Sequence, residues 1–188
     1  MWYEANGLAD EAIEYAFRSN DLDRAADLVA CEVETVWKRG QHDKLRRWLN
    51  ALEVETIHSK PILAFFHAWV QFVSGQQDLA EISLQATEQA LSESDLSKKS
   101  VTALKGKIAA IRAAMATYRS DGLESIQQAQ KALEYLLPKD QIWRGTALVA
   151  LGDAHIFNGD YSSAYRVHTD ALQDIQKTGN VYLYLIGT

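Results

Sequence analysis

The strongest constraint on this chain is a spacing. Gly7, Gly75 and Gly159 are each followed five residues later by Ala12, Ala80 and Ala164, and Asn20–Ala25 and Ser120–Ser125 keep the same offset. From three of those small residues, buried-type positions continue at steps of four and seven: Ala80, Leu84 and Thr87; Ser125, Ala129 and Ala132; Ala164, His168 and Ala171. Seven residues before three of the turns stand Ala68, Ala113 and Gly152, all small. Steps of three and four keep side chains on one helix face. The pattern therefore predicts pairs of antiparallel helices that touch where small side chains let the backbones approach, joined by a tight turn.

Composition agrees with that reading. The chain has 26 alanines but 2 prolines in 188 residues, which favours helix almost throughout. No stretch alternates β-branched and polar residues cleanly between turn pairs, so strand signals are nearly absent. Helices are expected at 8–18, 22–39, 42–52, 61–74, 78–92, 98–119, 122–137, 141–158 and 161–178, with a further one starting near Val181. Pro61 suits a first helical turn and Pro138 a helix stop, while Gly40, Gly75 and Gly159 sit where helices end. The run from Ser92 to Lys99 reads as a linker. Leu148, Leu151-Gly152, His155, Gly159-Asp160-Tyr161, Ala164 and Ala171-Leu172 follow the spacing of a tetratricopeptide repeat. The expected fold is all-α, an α-solenoid of antiparallel, tetratricopeptide-like helical hairpins. Its parts are N-terminal helices at 1–58, hairpins at 61–92, 98–138 and 141–178, and the start of another helix at 180–188.

The same sequence disfavours several functions. No apolar run approaches the length of a membrane span, and Met1-Trp2-Tyr3-Glu4 lacks a secretory leader's basic and apolar stretches. One cysteine forms no internal disulfide, which fits a cytoplasmic setting; Cys31 itself reads as a buried packing residue. A net charge of −6 argues against this segment gripping a phosphate backbone. Gly106-Lys107 has neither the leading Gly nor the trailing Ser or Thr of a P-loop, and the metalloprotease, dinucleotide and nucleophile-elbow motifs are absent. His42, His58, His67, His155 and His168 show no i, i+4 pairing, so no metal site is expected, and the chain is not read as an enzyme. Lys38-Arg39, Lys44 and Arg46-Arg47 form the most basic stretch. They read as helix-end complements and as the solvent side of a helix buried through Leu45, Trp48, Leu49 and Leu52. One ligand or peptide groove is entertained. It would be lined by Phe65, Trp69 and Phe72, and on later hairpins by Lys107, Tyr118, Asp153 and Phe157; the competing reading is that these aromatics pack against adjacent hairpins.

A more specific signal lies in the opening run Trp2-Tyr3-Glu4-Ala5-Asn6-Gly7-Leu8-Ala9-Asp10-Glu11-Ala12-Ile13-Glu14-Tyr15-Ala16. It continues through Asp21-Leu22-Asp23-Arg24-Ala25-Ala26-Asp27-Leu28-Val29, Arg39-Gly40, Leu45-Arg46-Arg47-Trp48-Leu49 and Ala51-Leu52. Together these resemble the helical region of large ATP-binding LuxR-type transcriptional activators, the group typified by the activator of the maltose genes. The resemblance runs through Ala68-Trp69 and Ser74-Gly75-Gln76, weakens over 92–105 and returns from Ile126 to Pro138. It implies a sensor module that reads a small-molecule inducer or a regulatory protein and mediates self-association. In such proteins ATP belongs to a separate NTPase domain and DNA reading to a separate helix-turn-helix domain. No cofactor is therefore expected in this segment, which would be an excised part of a longer chain with an uncovered apolar face at Val181-Tyr182-Leu183-Tyr184-Leu185-Ile186. The alternative is a general tetratricopeptide-type scaffold for another protein's peptide.

Overall fold

The structure, a computed structural model, describes the backbone of residues 8–178 and the side chains of residues 8–172. Gly7, the opening run before Leu8 and the helix expected near Val181 lie outside the described residues. Among the described residues the chain is all-helical, with no strand. The helices are α1 (Ala9–Arg18), α2 (Leu22–Lys38), α3 (His42–Asn50), α4 (Val54–Ser59), α5 (Pro61–Val73), α6 (Gln77–Glu93), α7 (Lys98–Tyr118), α8 (Gly122–Tyr135), α9 (Gln141–Phe157) and α10 (Tyr161–Thr178).

The repeated spacing has a local cause. Asn20, Gly40, Gly75, Ser120 and Gly159 all have positive φ, between 56° and 78°. At each, two backbone bonds close the preceding helix: Gly75 N–H reaches the Phe72 carbonyl at 2.9 Å and Gln76 N–H the Gln71 carbonyl at 2.9 Å. Ser120 and Asp121 repeat the pair at 2.9 Å each, on Thr117 and Ala116. This left-handed stop satisfies carbonyls that would otherwise be orphaned. After three of these turns the next residue caps the following helix, with Asp21, Asp121 and Asp160 accepting from the amides of Arg24, Glu124 and Ser163. Five residues beyond each turn, Ala25, Leu45, Ala80, Ser125 and Ala164 are buried where the two helices meet. Ser125 Oγ lies 3.2 Å from the Ala113 carbonyl, so the small positions before and after that turn touch.

The chain divides into two compact units, Met1–Ser94 and Asp95–Thr188, with residues 94–97 outside any helix. In the first unit α1 packs on α2 and α2 on α3, while α5 pairs with α6 and also meets α2 and α3. In the second, α7 pairs with α8 and α9 with α10, and α9 lies against both α7 and α8.

Helix α5 has Leu63, Ala64, Phe65, Phe66, Ala68, Trp69 and Val70 buried. An apolar surface all round a helix calls for neighbours on every side. Trp69 meets Trp37 of α2 nearly edge-on at 5.8 Å and His42 of α3 at 4.8 Å, and Phe65 meets Phe66 at 5.2 Å. Burying each such ring contributes about 1.5–3 kcal/mol.

Two details differ from the sequence expectations. Residues 54–59, between the helices expected at 42–52 and 61–74, form the short helix α4, whose six residues are too few to show a helical period. Cys31, expected buried, is exposed: α2 buries Ala25, Ala26, Val29, Val33, Val36 and Trp37, and position 31 falls on the opposite side.

Candidate functional site

The residues expected to line a groove fall in different environments. In the first unit Phe65 is fully enclosed and Trp69 is buried against Trp37 and His42, so both are core residues; Phe72 is half-buried. The reason is that α5 is covered by α2, α3, α4 and α6 rather than by one partner helix. In the second unit Lys107 is buried within α7, whereas Tyr118 and Phe157 are 72% and 51% exposed. Asp153 is half-buried, its carboxylate 3.3 Å from His168 Nε2. Burial pushes the Asp153 carboxyl up, opposed by the neighbouring His168. His168 lies over Gly152, where an added Cβ would stand 2.6 Å from its ring, so glycine admits the imidazole to the α9–α10 crossing.

Tyr118 and Phe157 have apolar company. Leu123, Ile156, Tyr161 and Tyr165 are also exposed, at the ends of α8, α9 and α10 next to the α7–α8 and α9–α10 turns. An added Cβ on Gly122 would lie 3.0 Å from Asn158 Oδ1, so the two turns abut on one edge of the second unit. Aromatic residues gathered at an exposed edge are the usual material of a contact surface.

Four cations of the basic stretch are paired with acids. Lys44 pairs with Asp10, Arg46 with Asp43 at 2.9 Å, Arg47 with Glu14 at 2.6 Å and Lys38 with Glu34 at 3.0 Å. Trp48 beneath them donates to Glu14 at 3.4 Å, and Lys44 Nζ sits 4.9 Å from the Trp48 ring. As expected, Leu45, Trp48, Leu49 and Leu52 are buried. Lys44 and Arg47 thus tie α3 to α1, while Arg46 and Lys38 pair within their own helices, each exposed pair adding about 0–1 kcal/mol.

A polar cluster that the sequence reading did not single out lies where α4, α5 and α6 meet. Ser83, 1% exposed, stands at its centre. Its Oγ is 2.8 Å from Gln71 Oε1, 3.3 Å from His67 Nδ1 and 3.2 Å from His58 Nε2, and Gln71 Nε2 is 3.2 Å from His67 Nε2. The Gln71 amide nitrogen only donates, so His67 Nε2 accepts and neutral His67 carries its hydrogen on Nδ1. That hydrogen goes to Ser83 Oγ, and the Ser83 hydroxyl donates to Gln71, closing a ring of three bonds. His58 donates to the second lone pair of Ser83. Burial drives His67 down to about 4, reinforced by His58, and lowers His58 as well, against the charge of Glu55. The sequence did carry a signal: His67 and Gln71, four residues apart, are the polar pair on an otherwise apolar helix. Among the described residues no group of three or more potential metal ligands occurs.

No protein-family model and no solved structure matches the chain. Two curated proteins do. The HTH-type transcriptional regulator AlkS of Pseudomonas putida is 33% identical over 82 residues, 43% of this chain and 9% of that regulator. The HTH-type transcriptional regulator AlkS of Ectopseudomonas oleovorans is 27% identical over 165 residues, 87% of this chain and 18% of that regulator. The chain thus spans less than a fifth of the length of the curated relatives it matches, and its similarity to these transcriptional regulators is distant.

Proposed function

We propose that this chain is a regulatory binding module of a larger LuxR-type transcriptional activator, an α-solenoid segment that senses an inducer and takes part in self-association. One observation carries the reading: similarity to a helix-turn-helix regulator runs along 87% of the chain. The paired helices joined by left-handed turns support a tetratricopeptide-like arrangement. The ligand is a small molecule or a regulatory protein, and no catalytic step is assigned to the chain. It works in the cytoplasm, and among the described residues no helix is long and apolar enough to cross a membrane.

The exposed aromatic edge around Tyr118, Phe157, Tyr161 and Tyr165 favours a protein contact as one input, which a scaffold outside transcription would share. The test is a thermal-shift screen with sugars, amino acids and nucleotides, beside sedimentation at rising protein concentration. A ligand at one hundred times its Kd adds about 2.7 kcal/mol and raises Tm. Replacing Tyr118 and Phe157 together by Ser should leave melting nearly unchanged and weaken self-association. A chain that stays monomeric and answers no compound would overturn the sensor reading.

A further inference from the structure

We propose that His58 and His67 form a one-proton latch, in which a second proton breaks the hold of α4 on α5 and α6. With His67 neutral, Gln71 donates to His67, His67 to Ser83, and Ser83 back to Gln71. The remaining lone pair of Ser83 accepts from His58 Nε2. That arrangement tolerates a proton on His58, because His58 is already the donor. Placing the proton on His67 instead sets its Nε2–H against the Gln71 amide hydrogens. The Gln71 amide must then turn over and donate to Ser83, and the Ser83 hydroxyl must swing to His58, whose Nε2 has to be bare. Either histidine can hold a charge, but not both: with two protons, the Ser83 hydroxyl hydrogen finds no acceptor among these side chains. A buried donor without a partner costs about 1–3 kcal/mol.

Charged groups on the surrounding helices bear on this junction. Helix α5 carries no ionisable side chain besides His67. On α2, Asp27 is held by Lys60 at 2.5 Å and Glu34 by Lys38, and the same helix carries Asp23, Arg24 and Glu32. On α3, Asp43, Lys44, Arg46 and Arg47 are ion-paired, and His42, against Trp69, is itself lowered by burial. Helix α6 brings Asp78, Glu81, Glu88 and Glu93. The charge of Glu55 on α4 acts on His58, and that of His58 on His67. The first proton therefore belongs on His58, beside Glu55. Helix α4 is the element that yields, since its six residues are anchored through Ile57, 2% exposed, and through the bond from His58 to Ser83.

The experiment is a pH titration of the intact chain by NMR, reading the histidine ring nitrogens together with amide protection in α4 and α2. At neutral pH His67 should show hydrogen on Nδ1 and a bare Nε2. His58 should titrate first, with protection of the Ile57 and His58 amides retained. As His67 begins to take its proton, that protection should fall by up to tenfold per pH unit, the slope of one linked proton, while α2 stays protected. In His58→Gln, a neutral neighbour, the His67 midpoint should rise by half a unit or more. The latch is overturned if His67 protonates with α4 protection unchanged, or if both histidines titrate together at the ordinary value. A His67 midpoint unmoved in folded His58→Gln would also refute it.

Discussion

Asn20 and Ser120 hold the left-handed conformation that Gly40, Gly75 and Gly159 adopt without a Cβ penalty. A non-glycine residue there costs about 1–2 kcal/mol, partly offset by the extra freedom glycine brings to the unfolded chain. Ser120→Gly is therefore expected to stabilise by about 0.5–1 kcal/mol, and Gly159→Ala to destabilise by about 1 kcal/mol, both read from urea unfolding. Gly152 answers to a different demand, close approach: its Cβ would meet His168 at 2.6 Å. Gly152→Ala should cost about 1–3 kcal/mol, and Gly152→Ala combined with His168→Ala less than the two single changes added, because one clash is shared. These glycine and small-residue roles were legible in the sequence, since a left-handed turn and a tight crossing each restrict one position by local sterics. Burial of Phe65 and exposure of Phe157 were not, as both read equally well as groove aromatics. Phe65→Ala should cost about 3–5 kcal/mol. Phe157→Ala, on the surface, should stay within about 0.5 kcal/mol.

Among the elements, α5 shows why a helix's periodicity can mislead about its role. Its stripe of Phe65, Trp69 and Phe72 is a regular face, and a regular face on an isolated hairpin would look outward. In the fold that side meets α2 and α3, whose Trp37 and His42 lie about thirty residues upstream. Helix α4 escaped notice because six residues cannot establish a period. The polar junction of α4, α5 and α6 makes stability depend on pH in a definite direction. His42, His58 and His67 are all lowered below 6.5 by burial, so the folded state binds fewer protons than the unfolded one in the window beneath that value. Their contribution is fully present above pH 6.5 and is lost as pH falls towards the His67 value of about 4. Urea midpoints should accordingly drop between pH 6.5 and 4.5, and His67→Gln should flatten that slope.

At the scale of the whole chain, two compact units meet in sequence at residues 94–97, which form no helix. Limited proteolysis is expected to nick first within that stretch; a first cut inside α5 or α9 would contradict it. The charge balance also works at this scale. A net charge of −6 coexists with a local basic run, whose Lys38, Lys44, Arg46 and Arg47 are paired with Glu34, Asp10, Asp43 and Glu14. The distant similarity to a much longer regulator runs along 87% of this chain and 18% of that regulator. The sequence by itself determined the helices, their stops and their small-residue crossings, because each rests on contacts within a few residues: a left-handed turn, an aspartate cap, a backbone bond. Only the tertiary structure decided which aromatics became core and which stayed in water. It alone brought His58, His67, Gln71 and Ser83 to one place, because those outcomes depend on which helix covers which face.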